Sequence, residues 1–269
     1  MMNNLTYVHK DAIIGKNVTI EPFAVIHQDV VIGDDCYISS HVTIFPGARI
    51  GNNNRFFPNC SIAAIPQDLK FAGEKTFVEI GNHNTIRESV TINRGTQALG
   101  YTKIGDHNLI MAYSHVAHDC TIGSWCVLAN GATLGGHIEI GDYAILGGLS
   151  AIHQFTKIGS HAILMGGALV DKDVPPYIKA AKFPLTYSGI NSLGLSRRGF
   201  SQETINLIKE YYKIVFQSGL NYSDALKKLK NLPLTEELKE IMSFMENSDR
   251  GLIKGYTSVD GGRASSSEE

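Results

Sequence analysis

Ile14-Gly15-Lys16-Asn17-Val18-Thr19-Ile20-Glu21-Pro22-Phe23-Ala24-Val25-Ile26-His27-Gln28-Asp29-Val30-Val31-Ile32-Gly33 places isoleucine at every sixth position and glycine at both ends. Upstream the beat begins at Val8, and downstream it runs through Ile38, Ile44, Ile50, Phe56 and Ile62. After a gap the same phase returns at Ile80, Ile86 and Ile92, and again from Ile104 to Val170. Four residues after many anchors stands a second small or β-branched residue, such as Ala12, Val18, Ala24, Val42, Ala132 and Ala144. A period of six matches neither the 3.6 of a helix nor the alternation of an ordinary strand. A fixed repeat of this length signals a solenoid.

Glycine adds a period of eighteen at Gly15, Gly33 and Gly51, and again at Gly105, Gly123, Gly141 and Gly159. Three hexapeptides therefore form one coil of three short strands, and anchors stacked from coil to coil fill a thin core. Glycine is assigned to one corner, where a tight bend favours a residue without Cβ. About eight coils fit between residues 8 and 175. Such hexapeptides resemble the left-handed parallel β-helix family, which supplies the hand. Gly51 to Gly81 spans thirty residues and Gly81 to Gly105 twenty-four, so loops are expelled at about 63–76 and 94–101. Loops that a regular scaffold does not need tend to carry function, and both contain polar residues.

The repeat stops near Pro175-Pro176, and helical patterning follows. Ser201 is placed as the cap of a helix Gln202 to Gln217, with Ile205, Ile208, Tyr212 and Val215 on one face and Gly219 just beyond. Two more amphipathic stretches follow, Ser223 to Lys230 and Thr235 to Glu246. The predicted organisation is a β-helix over 1–185, a small C-terminal α-helical domain over 186–254 and a disordered tail over 255–269.

Net charge is −2, which argues against a general nucleic-acid binder. No leader-like or long apolar segment occurs, so a soluble cytoplasmic protein is expected. Cys36, Cys60, Cys120 and Cys126 all fall four residues after an anchor and read as core packing in a reducing compartment. His115, His118, His137 and His153 differ from the other histidines, because the eighteen-residue ruler brings them onto neighbouring coils, pointing outward. An acid/base site and a metal site compete. The γ-class carbonic anhydrases hold zinc on this solenoid, but their ligands come from adjoining subunits. His115-Val116-Ala117-His118-Asp119 lacks the spacing of that site, so no metal is expected, and a general base with Asp119 fixing its tautomer fits better.

Ser114-His115-Val116-Ala117-His118-Asp119-Cys120, Leu134-Gly135-Gly136-His137 and Ile152-His153-Gln154-Phe155 resemble the UDP-N-acetylglucosamine 3-O-acyltransferases of lipid A biosynthesis. So do Gln67-Asp68-Leu69-Lys70-Phe71-Ala72-Gly73-Glu74, Ile86-Arg87-Glu88-Ser89, Asp173-Val174-Pro175-Pro176-Tyr177 and Arg197-Arg198-Gly199-Phe200. The likeness runs in the family's order to about Leu252. It implies transfer of an (R)-3-hydroxyacyl group from acyl carrier protein to the sugar 3-hydroxyl, without a covalent acyl-enzyme. His118 matches the base, Asp119 its orienting partner, and Gly136 the N–H donor to the oxyanion, a role worth about 3–4 kcal/mol in comparable transfers.

The same resemblance gives His115, Gln67, Asp68 and Lys70 as contacts to the sugar, and His137, His153 and Gln154 as contacts to the acyl and nucleotide groups. Asn191, Arg197 and Arg198 match the nucleotide end, where guanidinium suits a diphosphate. Leu193 stands where the family often carries an acidic residue. Met165 and Gly166 fall where acyl length is measured, with Gly166 leaving room for a long chain. The family is homotrimeric with sites between subunits, and needs no cofactor beyond the acyl-4′-phosphopantetheine of the carrier. Lys172, Lys179, Lys182, Arg197 and Arg198 are candidate contacts to that acidic carrier. The alternatives are another hexapeptide acyltransferase, a variant acting on a 3-amino UDP-sugar, and a non-enzymatic solenoid. A related N-acyltransferase of the same pathway carries an added N-terminal domain, for which a repeat beginning at residue 8 leaves no room.

Overall fold

The computed structural model describes residues 5–255, so most of the predicted tail lies outside the described residues. Within them the hexapeptides form a left-handed parallel β-helix. Its first sheet runs from Tyr7–Val8 to Leu169–Val170, its second from Ile13–Ile14 to Lys157–Ile158, and its third from Thr19–Ile20 through Ile163–Leu164. Eight strands in the second sheet make eight full coils among the described residues. Anchors pair in register from coil to coil, as Ile92, Val116, Leu134 and Ile152 do, and each is buried.

The glycine corner forms for a different reason from the one the sequence suggested. None of Gly15, Gly33, Gly51, Gly105, Gly123, Gly141 and Gly159 has a positive φ. Close stacking is what excludes a side chain there: a Cβ on Gly105 would sit 2.7 Å from the Gly123 carbonyl oxygen. The following residue seals that stack, since the Asp34 N–H donates to Asn52 Oδ1 at 2.7 Å and the Ser124 N–H to Asp142 Oδ1 at 2.7 Å. The left-handed backbone falls instead on ordinary residues every six positions, among them Asp119 (φ 58°), His137 (φ 60°) and Phe155 (φ 63°). Each such corner costs about 1–2 kcal/mol and is held by the coils on either side.

The cysteines lie in the core, and burial pushes the thiols of Cys60, Cys120 and Cys126 up to about 12, which leaves them unreactive. In the same slot Asn54, Asn84 and Asn108 build an amide ladder. The Asn84 N–H donates to Asn54 Oδ1 (2.9 Å), the Asn108 N–H to Asn84 Oδ1 (2.9 Å), and the Cys126 N–H to Asn108 Oδ1 (2.7 Å). Asn84→Ala strands the Asn108 N–H and one acceptor contact of the Gly105 carbonyl inside the core. The expected cost is about 2–4 kcal/mol, read as a lower denaturation midpoint at an unchanged kcat.

Beyond the coils, Ile178–Ala181 extends the third sheet and pairs antiparallel with Thr186–Ile190, so the predicted boundary at 185/186 falls inside a hairpin. Among the described residues four helices follow: α1 Ser192–Arg197, α2 Gln202–Gln217, α3 Tyr222–Leu229 and α4 Glu236–Glu246. Ser201 and Thr235 cap α2 and α4 through their side chains, and the predicted apolar face of α2 is buried. The sequence reading did not foresee α1, which is short and interrupted by Gly194. The helices are tied to the last coils by Tyr212 Oη donating to the Pro176 carbonyl (2.6 Å) and Tyr177 Oη donating to Glu240. Ser248 Oγ donates to the buried Asp173 (2.6 Å), which fixes the returning chain.

Candidate active site

His118 and Asp119 occupy the corner between the first and second sheets, between strands His115–Val116 and Thr121–Ile122. His118 Nδ1 lies 2.7 Å from Asp119 Oδ2, with the His118 side chain 12% exposed and that of Asp119 fully buried. Burial by itself pushes the Asp119 carboxyl up. Hydrogen bonds from Thr96 and His118 outweigh that effect and hold it below its ordinary value. An ionised carboxylate only accepts, so Nδ1 carries the proton between them, and in the neutral ring the free lone pair is that of Nε2.

His137 sits one coil above Asp119, edge-on to His118 at 5.1 Å and stacked on Phe155 at 4.5 Å. Burial lowers its basicity, with Asp119 and Asp68 opposing and His118 adding to the effect. His115 accepts or shares a proton with Thr91 Oγ1 at 2.7 Å, and it too is pushed down, by burial and then by His118. His153 and Gln154 lie one coil further, both exposed, with His153 Nδ1 3.1 Å from the Gln154 carbonyl. The histidines thus form a contacting pair, His118 and His137, with His115 beside it and His153 at the rim.

Gly136, on the same coil as His137, lies directly against the base. A Cβ there would be 2.6 Å from His118 Cε1 and 2.8 Å from Nε2. Among the described residues its N–H meets no acceptor, although Gly136 is buried. That combination is an available donor beside a base.

The two expelled loops meet at this corner. In the first, Asp68 accepts the Lys70 N–H at 2.9 Å, while Gln67 and Lys70 are exposed. Glu74 accepts the Gln97 N–H at 3.1 Å, and Arg94 lies 5.5 Å from the Phe71 ring, which joins the loops to each other. The sequence reading expected the second loop to face a ligand. Its Thr96 instead reaches inward to Asp119, with Thr96 Oγ1 2.7 Å from Oδ2. Thr91 and Thr96 were both missed as functional residues, because Thr91 looks like an ordinary strand residue and the loop gives Thr96 no repeat position from which its direction follows.

Asn191, Arg197 and Arg198 lie elsewhere, on the third sheet, around a 510 Å³ cleft that Ile145, Ile163 and Lys179 help to line. Asn191 is buried and caps α1: its Oδ1 accepts the Gly194 N–H at 3.1 Å and its Nδ2 donates to the His161 carbonyl at 2.9 Å. Arg197 is exposed, while the Arg198 guanidinium lies over Tyr143 at 5.0 Å. One chain does not bring this group to His118. The Met165 sulfur accepts the Lys182 N–H at 2.8 Å. Gly166 is not required by its own chain, since a Cβ there would meet nothing closer than the Gly148 carbonyl oxygen at 3.4 Å.

His118, Asp119 and His137 also bring potential ligand atoms within 4.8 Å of one another. A cation between them would have to displace the proton shared by His118 and Asp119, so the geometry favours acid/base use over metal binding.

A buried Asp–His pair over an unpaired glycine N–H, set on hexapeptide coils, defines an acyl-transfer enzyme of the hexapeptide class. A hexapeptide transferase model matches residues 11–46 and 101–136, and domain 2 of UDP-N-acetylglucosamine O-acyltransferase matches residues 173–253. The acyl-[acyl-carrier-protein]–UDP-N-acetylglucosamine O-acyltransferase of Thermodesulfovibrio yellowstonii is 46% identical, over 92% of this chain and 99% of its own. The UDP-N-acetylglucosamine acyltransferase structure from Bacteroides fragilis matches with a TM-score of 0.93 at 49% identity, covering 94% of this chain and all of that one. That from Francisella novicida matches with a TM-score of 0.94 at 40% identity, covering 100% of this chain and 99% of that one. The chain belongs to the UDP-N-acetylglucosamine O-acyltransferase family, and it is an acyltransferase.

Proposed function

We propose that this enzyme moves an (R)-3-hydroxyacyl group from acyl carrier protein to the 3-hydroxyl of UDP-N-acetylglucosamine, by direct transfer. His118 Nε2 takes the hydroxyl proton as the sugar oxygen attacks the thioester carbonyl. The Gly136 N–H stabilises the tetrahedral oxyanion, which collapses to the ester. The departing phosphopantetheine thiolate then recovers the proton from His118. Asp119 stabilises the imidazolium between these events. The observation that carries this reading is the His118–Asp119 bond set over Gly136.

Gln67, Asp68, Lys70 and His115 bind the sugar in this reading. His137, His153 and Gln154 bind the acyl and nucleotide groups, and Asn191, Arg197 and Arg198 hold the nucleotide end. Lys172, Lys179 and Lys182 add basic surface for the carrier protein. Gly166 is left open for a long acyl chain. No cofactor is required, and the enzyme works in the cytoplasm; among the described residues no helix is long and apolar enough to cross a membrane.

The site is shared between copies in a homotrimer. Support comes from the outward faces of the three sheets. The second carries Arg49, Glu79, Lys103, Thr121, Glu139 and Lys157 in register, a mostly charged row whose last member already bonds the chain's own Asn247 carbonyl. The third presents Leu109, Val127, Ile145 and Ile163. The first presents the small or weakly polar Thr91, His115, Thr133 and Ala151. In this reading the third sheet of one copy packs against the first sheet of the next, so that another copy supplies the Arg198 which one chain does not bring to His118. The test is transfer from a ladder of 3-hydroxyacyl carrier proteins to UDP-N-acetylglucosamine and to its 3-amino analogue, with the mass in solution measured alongside. Preferred transfer of a long chain to the hydroxyl by a trimer is expected; transfer to the amine alone, or a monomer with full activity, overturns this reading.

A further inference from the structure

We propose that Thr96, on the loop expelled between strands Thr91–Asn93 and Tyr101–Ile104, is the positioning residue of the Asp119–His118 pair. This rests on the reading of that pair as orienter and base.

The solenoid contains its own comparison. Asp29 stands in the same corner as Asp119, between the first and second sheets, in the same left-handed conformation (φ 53°). No loop covers it. Its side chain is 38% exposed and turns to Arg49, 2.5 Å away. Asp119, with the second loop above it, has no exposed side-chain surface and turns to His118 instead. The two corners differ in sequence, with Gln28 and Arg49 at the first where His118 and Glu139 stand at the second, and in the loop, whose donors reach Asp119 alone.

Those donations fix the carboxylate. The Thr96 N–H reaches Oδ1 at 3.0 Å, Thr96 Oγ1 reaches Oδ2 at 2.7 Å, and the Leu99 N–H reaches Oδ1 at 3.2 Å. The direction of the hydroxyl bond follows from two constraints. The carboxylate only accepts, and Thr96 Oγ1 itself receives the Ala98 N–H at 3.2 Å, so the hydroxyl hydrogen is aimed at Oδ2. Oδ2 is then held in the plane where it meets the His118 Nδ1–H. The Asp119 backbone is fixed separately by its N–H to Thr102 Oγ1 at 2.9 Å.

The loop is built to hold this position. The Gly100 N–H closes onto the Thr96 carbonyl at 2.8 Å, with Gly100 at φ 85°. The Gly95 N–H bonds the Phe77 carbonyl at 3.1 Å, and a Cβ on Gly95 would meet the Tyr101 Cα at 2.7 Å. A coil without the insertion would leave Asp119 without the Thr96 and Leu99 donors that hold its two oxygens.

Thr96→Val removes the hydroxyl donor and keeps the bulk; Thr96→Ala removes it and leaves space; Thr96→Ser restores it. Both donor-less variants are expected to lose on the order of 10–100-fold in kcat, with KM for both substrates within about twofold of the parent. The Ser variant returns to within about threefold of the parent. Losing a bond that holds the Asp119 carboxyl low lets it protonate at higher pH, so the low-pH limb at which Asp119 takes up its proton moves upward in Val and Ala but not in Ser. A merely structural loop would lower the melting midpoint and leave that limb in place. Val or Ala variants with parental kcat and a superimposed pH profile overturn the proposal, as does a Ser variant no better than Val. His118→Ala run in parallel separates the two levels. If it keeps parental activity, the base assignment fails. If it is inactive while Thr96→Val is unaffected, only the role of Thr96 fails.

Discussion

His118→Ala is expected to lower kcat by roughly 10²–10⁴-fold, the range over which a positioned general base contributes. Asp119 already orients the ring and fixes its tautomer in the free enzyme, so what the substitution removes is the proton acceptor itself. KM for the carrier-protein donor should stay near the parental value, because nothing in the proposed donor contacts is lost. The side chain sits at a corner outside the stacked anchors, so the melting midpoint should change little. Added imidazole should restore part of the rate by entering the vacated space. A variant that keeps near-parental turnover removes His118 from the mechanism and leaves His137 or His115 to be tested in its place.

Gly136→Ala is expected to cost about 10²–10³-fold in kcat, comparable to loss of an oxyanion donor. The backbone at Gly136 is not left-handed, so alanine introduces no conformational strain. The damage is local. The added methyl would fall inside contact distance of the imidazole, whose retreat is limited by Asp119 on one side and His137 on the other. Either the His118–Asp119 bond breaks or the tetrahedral centre is pushed away from the Gly136 N–H. Initial rates at saturating substrate, beside a thermal melt, check this outcome. Parental kcat would mean that neither the position of the base nor that N–H limits the reaction.

The coils could be read from sequence because a solenoid writes its geometry in the period: Ile14, Ile32 and Ile50 must stack wherever a coil has eighteen residues. The same ruler placed His118 beside His137 before any coordinates. It said nothing about the interior of a loop, where the beat is suspended, so the inward turn of Thr96 could not be read, while Thr91 passed as an ordinary strand residue. It also misread the glycine corner, because a tight bend and a close stack both ask for a missing Cβ and only φ separates them. Asn191 shows the opposite limit. The resemblance gave it a place at the nucleotide end, and did not show that in the folded chain both ends of its amide are also engaged, one of them in capping a helix too short to be read from periodicity.

The asparagine ladder answers a problem of degeneracy. One hexapeptide looks much like another, and a coil that slipped by six residues would still bury an aliphatic anchor. Expelled loops are where such slippage is least penalised, and Asn54, Asn84 and Asn108 sit on the coils that flank both of them. A misaligned coil would set an amide against alanine, valine or cysteine and leave its polar atoms without partners in a dry interior. The ladder therefore works as an address label in an otherwise repetitive text. It makes the loop lengths, and with them the placing of Thr96 over Asp119, a single solution among several that hydrophobic packing alone would accept.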